Sequence, residues 1–335
     1  MPFPGVLIMR LALRILIIMG CTATVFAGCG KEESVITDPG PPKPIPSGWT
    51  RRALVPPVST TLFACQFVNA TTVFVVGGEG VVLRSTNTGL GWTEITTPVQ
   101  SALSDVWFKN QSDGFAVGAV GVILRTTNGG NSWFEVPSGT TLNLYSISFT
   151  GSQVGVIAGF RGTILKTTDG GATWAPQSSG VQEFLRGVHL LSPDTGIAVG
   201  DDGLILKTTD GGLTWGVRSS DLATALLDVV FIDEEVGYAV GDAGVILRTS
   251  DAGESWLPQV STVGVTLWNI WSGNGMIAVV GNDATILRTS NGGATWEDQT
   301  NGAPGHLYGV WFANADTGVV VGDGGTILRT TTGGR

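Results

Sequence analysis

Gly200-Asp201-Asp202-Gly203-Leu204-Ile205-Leu206-Lys207-Thr208-Thr209-Asp210-Gly211-Gly212-Leu213-Thr214-Trp215 contains a tight turn, a short apolar strand and a Gly-rich turn closed by tryptophan. The closing phrase recurs along the chain. Its tryptophans stand at Trp92, Trp133, Trp174, Trp215, Trp256 and Trp296, in steps of 41, 41, 41, 41 and 40 residues. Eleven residues after each comes a leucine: Leu103, Leu144, Leu185, Leu226, Leu267 and Leu307. A fixed period of this length marks a repeat architecture.

Each repeat reads as four short strands. In the fourth they fall at about 185–191, 196–200, 203–209 and 214–219, rich in β-branched residues and bounded by Gly and Asp turns. No 3.6-residue period is sustained, so almost no helix is expected. The last repeat opens at Leu307 and ends at Thr330-Thr331-Thr332-Gly333-Gly334-Arg335, without its tryptophan or outer strand. Ser47-Gly48-Trp49-Thr50 supplies the missing piece, with Trp49 13 residues before Leu62. The expected fold is therefore all-β: a seven-bladed β-propeller of four-stranded blades over 48–335. The N-terminal strand completes the last blade and closes the ring, which removes exposed sheet edges.

Composition agrees. Fifty glycines, 13% charged residues and 42% hydrophobic residues suit a packed β-protein. The formal charge is −9, and about −11 without Arg10 and Arg14 of the first 28 residues. An acidic surface repels phosphate backbones, so nucleic acid is not an expected partner. Cys65 falls in a strand pattern and reads as a small buried residue. His189 and His306 have no Cys or His at metal-ligand spacing, so neither metal nor cofactor is expected.

Arg10 and Arg14 precede an apolar run, Ile15 to Gly28, shorter than a usual membrane span. Phe26-Ala27-Gly28-Cys29 resembles a bacterial lipobox, with Phe26 where leucine is usual. The resemblance implies a signal peptide over 1–28, cleavage before Cys29 and lipidation of Cys29. Cys21 is the rival site, and an ordinary secretory signal the rival reading. Residues 29–47, with Pro39, Pro41, Pro42, Pro44 and Pro46, read as a semi-rigid tether. The protein is thus expected outside the cytoplasm, lipid-anchored at an outer membrane or cell surface, with the periplasmic side as a variant.

The phrase Ser/Thr-x-Asp-x-Gly-x-Thr-Trp is similar to the Asp-box of the bacterial neuraminidase repeat. It reads as structural: Asp or Asn accepts backbone N–H bonds, Gly takes a positive φ, and Trp plugs the space between blades. The acceptors are Asn87, Asn128, Asp169, Asp210, Asp251 and Asn291. Each third strand carries one base (Arg84, Arg125, Lys166, Lys207, Arg248, Arg288 or Arg329), expected to pair with a turn or cover a Trp face.

Function should sit where the copies differ. The position after each Leu reads Phe63, Ser104, Tyr145, Arg186, Leu227, Trp268 and Tyr308. The loops between second and third strands add Arg161 and an acidic arc, Asp201, Asp202, Asp242, Asp283 and Asp323. Aromatics beside charges on one face suit a protein or glycan site. Alternatively, the carboxylates cap turns and the aromatics pack in the core.

From Trp49 to Arg335 the chain resembles the photosystem II stability/assembly factor family, through Gly-x-x-Gly-x-Ile-Leu-Arg/Lys-Thr-Thr-Asp-Gly-Gly-x-Thr-Trp. The resemblance implies a non-enzymatic propeller that binds a protein partner, carried in cyanobacteria on lipoproteins and marked by an arginine-rich patch. Here Arg161 and Arg186 are the only bases in the variable sets. Asp-boxes also occur in sialidases and xyloglucanase-type glycosidases. The tyrosines Tyr145, Tyr238 and Tyr308 come without a sialidase signature, and the chain offers one propeller where those glycosidases use two. A glycan-binding or glycoside hydrolase propeller using the acidic arc remains the alternative.

Overall fold

The computed structural model describes residues 48–54, 57–300 and 302–335. The expected signal peptide, Cys29 and the tether lie outside them. Among the described residues there are seven four-stranded antiparallel sheets and no α-helix. Blades one to six run 62–95, 103–135, 144–178, 185–218, 226–259 and 267–298. The seventh joins 307–330 to the strand Thr50–Arg51, which pairs antiparallel with Thr326–Thr330 (Thr50 with Arg329, Arg51 with Leu328). The blade count and the closure by the N-terminal strand are as the repeat predicts. In blade four the strands are Leu185–Leu190, Gly196–Gly200, Ile205–Thr208 and Gly216–Arg218, within a few residues of expectation.

Second strands such as Gly196–Gly200 and Gly237–Gly241 are buried at every residue, because each is packed on both faces. The core is accordingly split into seven clusters, one between each pair of consecutive blades. Between blades one and two, Phe74 and Val76 meet Leu103, Phe108 and Trp133. Trp133 stands edge-on to Phe74 and to Phe108, at 6.3 and 5.8 Å. Between blades seven and one, Val319 and Val321 meet Leu62 and Val75. Trp49 plays the Trp133 role for blade seven: it is 3% exposed and edge-on to Phe312 at 5.8 Å.

The Asp-box turns form as the residue types require. In blade four, Asp210 Oδ1 accepts the Thr214 N–H (2.9 Å), and Thr208 Oγ1 accepts the Gly212 N–H (2.8 Å). Gly171 shows why the phrase needs glycine: its φ is +83°, and a Cβ would lie 2.3 Å from the Phe115 ring. The tryptophan indoles fill the space between blades, as expected, but most of their N–H groups are unpaired among the described residues. Trp256 Nε1 donates to the Gly253 carbonyl at 3.3 Å, but Trp92, Trp133, Trp174, Trp215 and Trp296 have no hydrogen-bond partner among the described residues. Packing between blades sets the position of these rings.

The third-strand bases mostly reach across to the next blade. Arg84 donates to Asn131 Oδ1 at 2.6 Å, Lys166 to the Gly211 carbonyl, and Arg329 to the Thr88 carbonyl at 2.6 Å. Lys207 pairs with Glu254 at 2.8 Å. Each of these acceptors belongs to the next blade's Asp-box. The rings that Arg84 and Arg125 cover are Phe74 and Phe115, not tryptophans, because those phenylalanines stand opposite them on the neighbouring strand.

Candidate functional site

Every first strand breaks register immediately after its leucine, as between Leu62 and Ala64 or Leu267 and Asn269. The skipped residue is the variable one: Phe63, Ser104, Tyr145, Arg186, Leu227, Trp268 or Tyr308. A bulge frees a side chain from the ladder and re-aims it. The turns between second and third strands are tied to the same end of the blade. Gly78 N–H bonds the Thr61 carbonyl at 2.9 Å, and Asp201 N–H the Phe184 carbonyl at 3.0 Å. The two variable sets therefore share one face. The Asp-box turns lie at the other end, bonded to the loop between first and second strands, as Gly211 N–H is to the Asp194 carbonyl.

On the variable face the aromatics form two groups. Tyr308 lies between Phe63 (5.7 Å) and Trp268 (5.3 Å), with His306 edge-on at 6.4 Å, so blades six, seven and one contribute to one cluster. Trp268 Nε1 donates to Asn282 Oδ1 at 2.7 Å, which fixes the indole. Burial, and then the Asp323 charge, push the Tyr308 hydroxyl well above its ordinary pKa. The second group centres on Arg186, whose guanidinium lies over Tyr145 and Phe184 at 5.2 and 5.0 Å. Phe160 packs on Phe184 at 4.3 Å, beneath Arg161.

The acidic residues do not form one array. Asp201 makes a bidentate pair with Arg186 (2.8 and 3.2 Å). Asp242 accepts the Thr266 hydroxyl at 2.9 Å. Asp323 accepts the Thr61 hydroxyl at 3.2 Å and the His306 N–H at 2.9 Å. Asp202 and Asp283 occupy turn tips at φ +57° and +55°, and both are exposed. Tied carboxylates fix the loops, and the two tip carboxylates stay exposed.

A feature not anticipated from sequence lies on the ring axis. The seven first strands enclose a cavity of about 210 Å³, lined among others by Asp105, Asp228, His189, Trp107, Trp271 and Trp311. Asp105 accepts N–H bonds from Val106 (2.7 Å) and, across the blade boundary, from Ile147 (2.9 Å). Asp228 does the same with Val229 (2.8 Å) and Ile270 (3.0 Å), and also takes the Asn269 amide at 2.6 Å. Burial raises each carboxyl to about 7, and the Asp105 charge adds to the effect at Asp228. Burial lowers His189 to about 4. The signal for this site was the residue two after each Leu, which varies as Ala64, Asp105, Ser146, Gly187, Asp228, Asn269 and Gly309. Cys65 is buried, as expected; burial and then the Asp105 charge push its thiol far up. Among the described residues no three His, Cys, Asp or Glu side chains converge as metal ligands.

Seven four-stranded antiparallel blades define the molecule as a seven-bladed β-propeller. The family model described as "Photosynthesis system II assembly factor YCF48" matches residues 85–176, 131–215 and 177–261, together more than half of the chain. The chain belongs to that family. Among solved structures it is similar to "YCF48 bound to D1 peptide", with a TM-score of 0.71 and 20% identity over 89% of this chain and 100% of that one. YCF48 from Cyanidioschyzon merolae gives 0.69 and 19% over 85% and 98%. An ancestral GH74 enzyme gives 0.65 and 18% over 84% of this chain and 46% of that one. At these identities the structural likeness shows the fold alone. No curated protein matches the chain.

Proposed function

We propose that this is a non-enzymatic, lipid-anchored propeller outside the cytoplasm that binds a protein and acts as an assembly or scaffold factor. The observation that carries the reading is the bulged, blade-variable face, where Phe63, Trp268, Tyr308 and His306 form an aromatic cluster within an acidic surround. Rigid aromatic anchors ringed by polar groups are what a protein-docking surface uses. Family membership supports it, as does the solved relative described as bound to a D1 peptide. The lipobox resemblance at Cys29 and the Pro-rich tether support the anchoring. The arginine-rich patch implied by the family is reduced here to Arg161 and Arg186, and Arg186 is held by Asp201. A partner of this face is therefore selected mainly by aromatic contact and negative charge. Crosslinking and pull-down from host membranes should recover one specific protein, lost on Trp268→Ala with Tyr308→Ala. Recovery of none, or recovery unaffected by the pair, overturns the reading.

The alternative is a glycan-binding or glycoside hydrolase propeller, favoured by one observation: an aromatic platform, Trp268 against Tyr308, shares the variable face with the exposed carboxylates Asp202 and Asp283. A glycan array with wild type and Asp201/Asp202→Asn decides it; neither binding nor hydrolysis excludes it.

A further inference from the structure

At four of the seven blade boundaries one device latches a first strand to the next. The residue two after the Leu accepts the N–H of the residue three after the next blade's Leu. Asp105 does this for Ile147, Ser146 for Val188, Asp228 for Ile270 and Asn269 for Val310. Ser146 and Asn269 show that the latch works with a neutral acceptor, so it does not require the charge of Asp105 and Asp228. Both carboxyls line the same axial cavity, and no Lys or Arg lines it among the described residues. Two half-buried acids that share one cavity with no Lys or Arg stay charged there at a cost, which either proton uptake or a bound cation relieves.

The rest of the lining tells which cation. No three His, Cys, Asp or Glu side chains converge there among the described residues. One wall is a run of indoles, Trp107 against Trp311 at 6.3 Å and Trp311 against Trp271 at 6.4 Å. Indole faces beside carboxylates attract organic cations. His189 lies deep in the ring, stacks on Phe231 at 5.7 Å, and has no hydrogen bond among the described residues. Its neutral imidazole offers an acceptor nitrogen to an N–H donor in the cavity.

We infer that the axial cavity binds an organic ammonium group, held by Asp105 and Asp228 against the Trp107–Trp311–Trp271 wall. The group is carried either by a small amine or by a lysine side chain of a docked protein. The site does not depend on the docking reading above, since a free amine tests it without any partner.

The test is calorimetric titration of the full chain with butylammonium chloride at about pH 8, against sodium chloride at equal ionic strength. A second arm uses a capped peptide with one lysine and the same peptide with norleucine. Saturable butylammonium binding is expected, weakened about tenfold or more in Asp105→Ser/Asp228→Asn, residues this ring already holds at that position. Tighter binding of the lysine peptide assigns the group to a protein partner; equal or weaker binding assigns it to a small amine. If the double variant does not fold, wild-type binding must weaken from about pH 8 to about pH 5, as the two carboxyls take up protons. Cys65, the remaining titratable group of the lining, stays neutral throughout, and His189 can only add positive charge at low pH. No saturable butylammonium binding, or binding undiminished in a folded double variant, overturns the inference.

Discussion

At the end that carries the Gly-rich turns, all seven blades repeat the same bond nearly atom for atom. Ser85, Thr126, Thr167, Thr208, Thr249, Thr289 and Thr330 each accept the N–H of the glycine four residues on. At the opposite end the backbone repeats as faithfully, down to the bulge after each leucine, yet the side chains on it do not. One bulge presents Arg186 bound to Asp201; others present Tyr308 packed between Phe63 and Trp268. Sameness at one end is what ring assembly needs. Difference at the other, on an equally regular backbone, shows that this backbone does not dictate its side chains. That freedom is the physical ground for placing function there.

The comparison breaks most sharply at the split blade. If Trp49 is equivalent to Trp133, Trp49→Ala and Trp133→Ala should each cost about 3–5 kcal/mol. Deleting residues 48–54, which also removes the outer strand, should cost more. Denaturant melts of the three variants check this, and an unchanged melt of the deletion would mean that the N-terminal strand is outside the ring.

A second effect comes from the axis. Asp105 and Asp228 titrate from an ordinary 3.8 in the unfolded chain to about 7 in the ring, because burial disfavours their charged form. Between those values the folded state holds more protons than the unfolded one. Their contribution to stability is therefore greatest below about pH 4 and falls as pH rises toward about 7. The Asp-box carboxylates act oppositely. Hydrogen bonds from Thr214 and Ser255 hold Asp210 and Asp251 down at about 2, so their contribution is lost only as pH falls below the ordinary value. His189, held at about 4 by burial, acts against the two carboxyls, since its contribution rises as pH climbs from about 4 to about 6.5. Melts from about pH 4 to about pH 8 should show a net decline that Asp105→Ser/Asp228→Asn turns into a rise.

A smaller effect sharpens the account of the uniform end. Thr208→Val leaves the buried Gly212 N–H without its acceptor and should cost about 1–3 kcal/mol, while Thr208→Ser should restore most of it, by chemical melts.

The Asp-box phrase and its 41-residue spacing made the blade count, the strand order and the closure by Trp49 legible in the sequence. These features are local, or repeat with a fixed offset. Side-chain pairings between neighbouring blades were not legible. Asp105 meets Ile147 across 42 residues and Arg84 meets Asn131 across 47, and neither residue type announces its partner. The variable positions could be named from sequence, but not grouped. That Tyr308 touches both Phe63 and Trp268, while Arg186 neutralises Asp201, depends on which blades are neighbours and where each bulge aims.

The central claim is that a protein docks on the variable face and not on the Asp-box face. A photo-crosslinking residue placed at Trp268 and, separately, at Leu213, which is 74% exposed in an Asp-box turn, tests it without disturbing the core. In host membranes the account predicts one discrete crosslinked partner from position 268 and none from position 213. The same partner captured from 213, with none from 268, would contradict it.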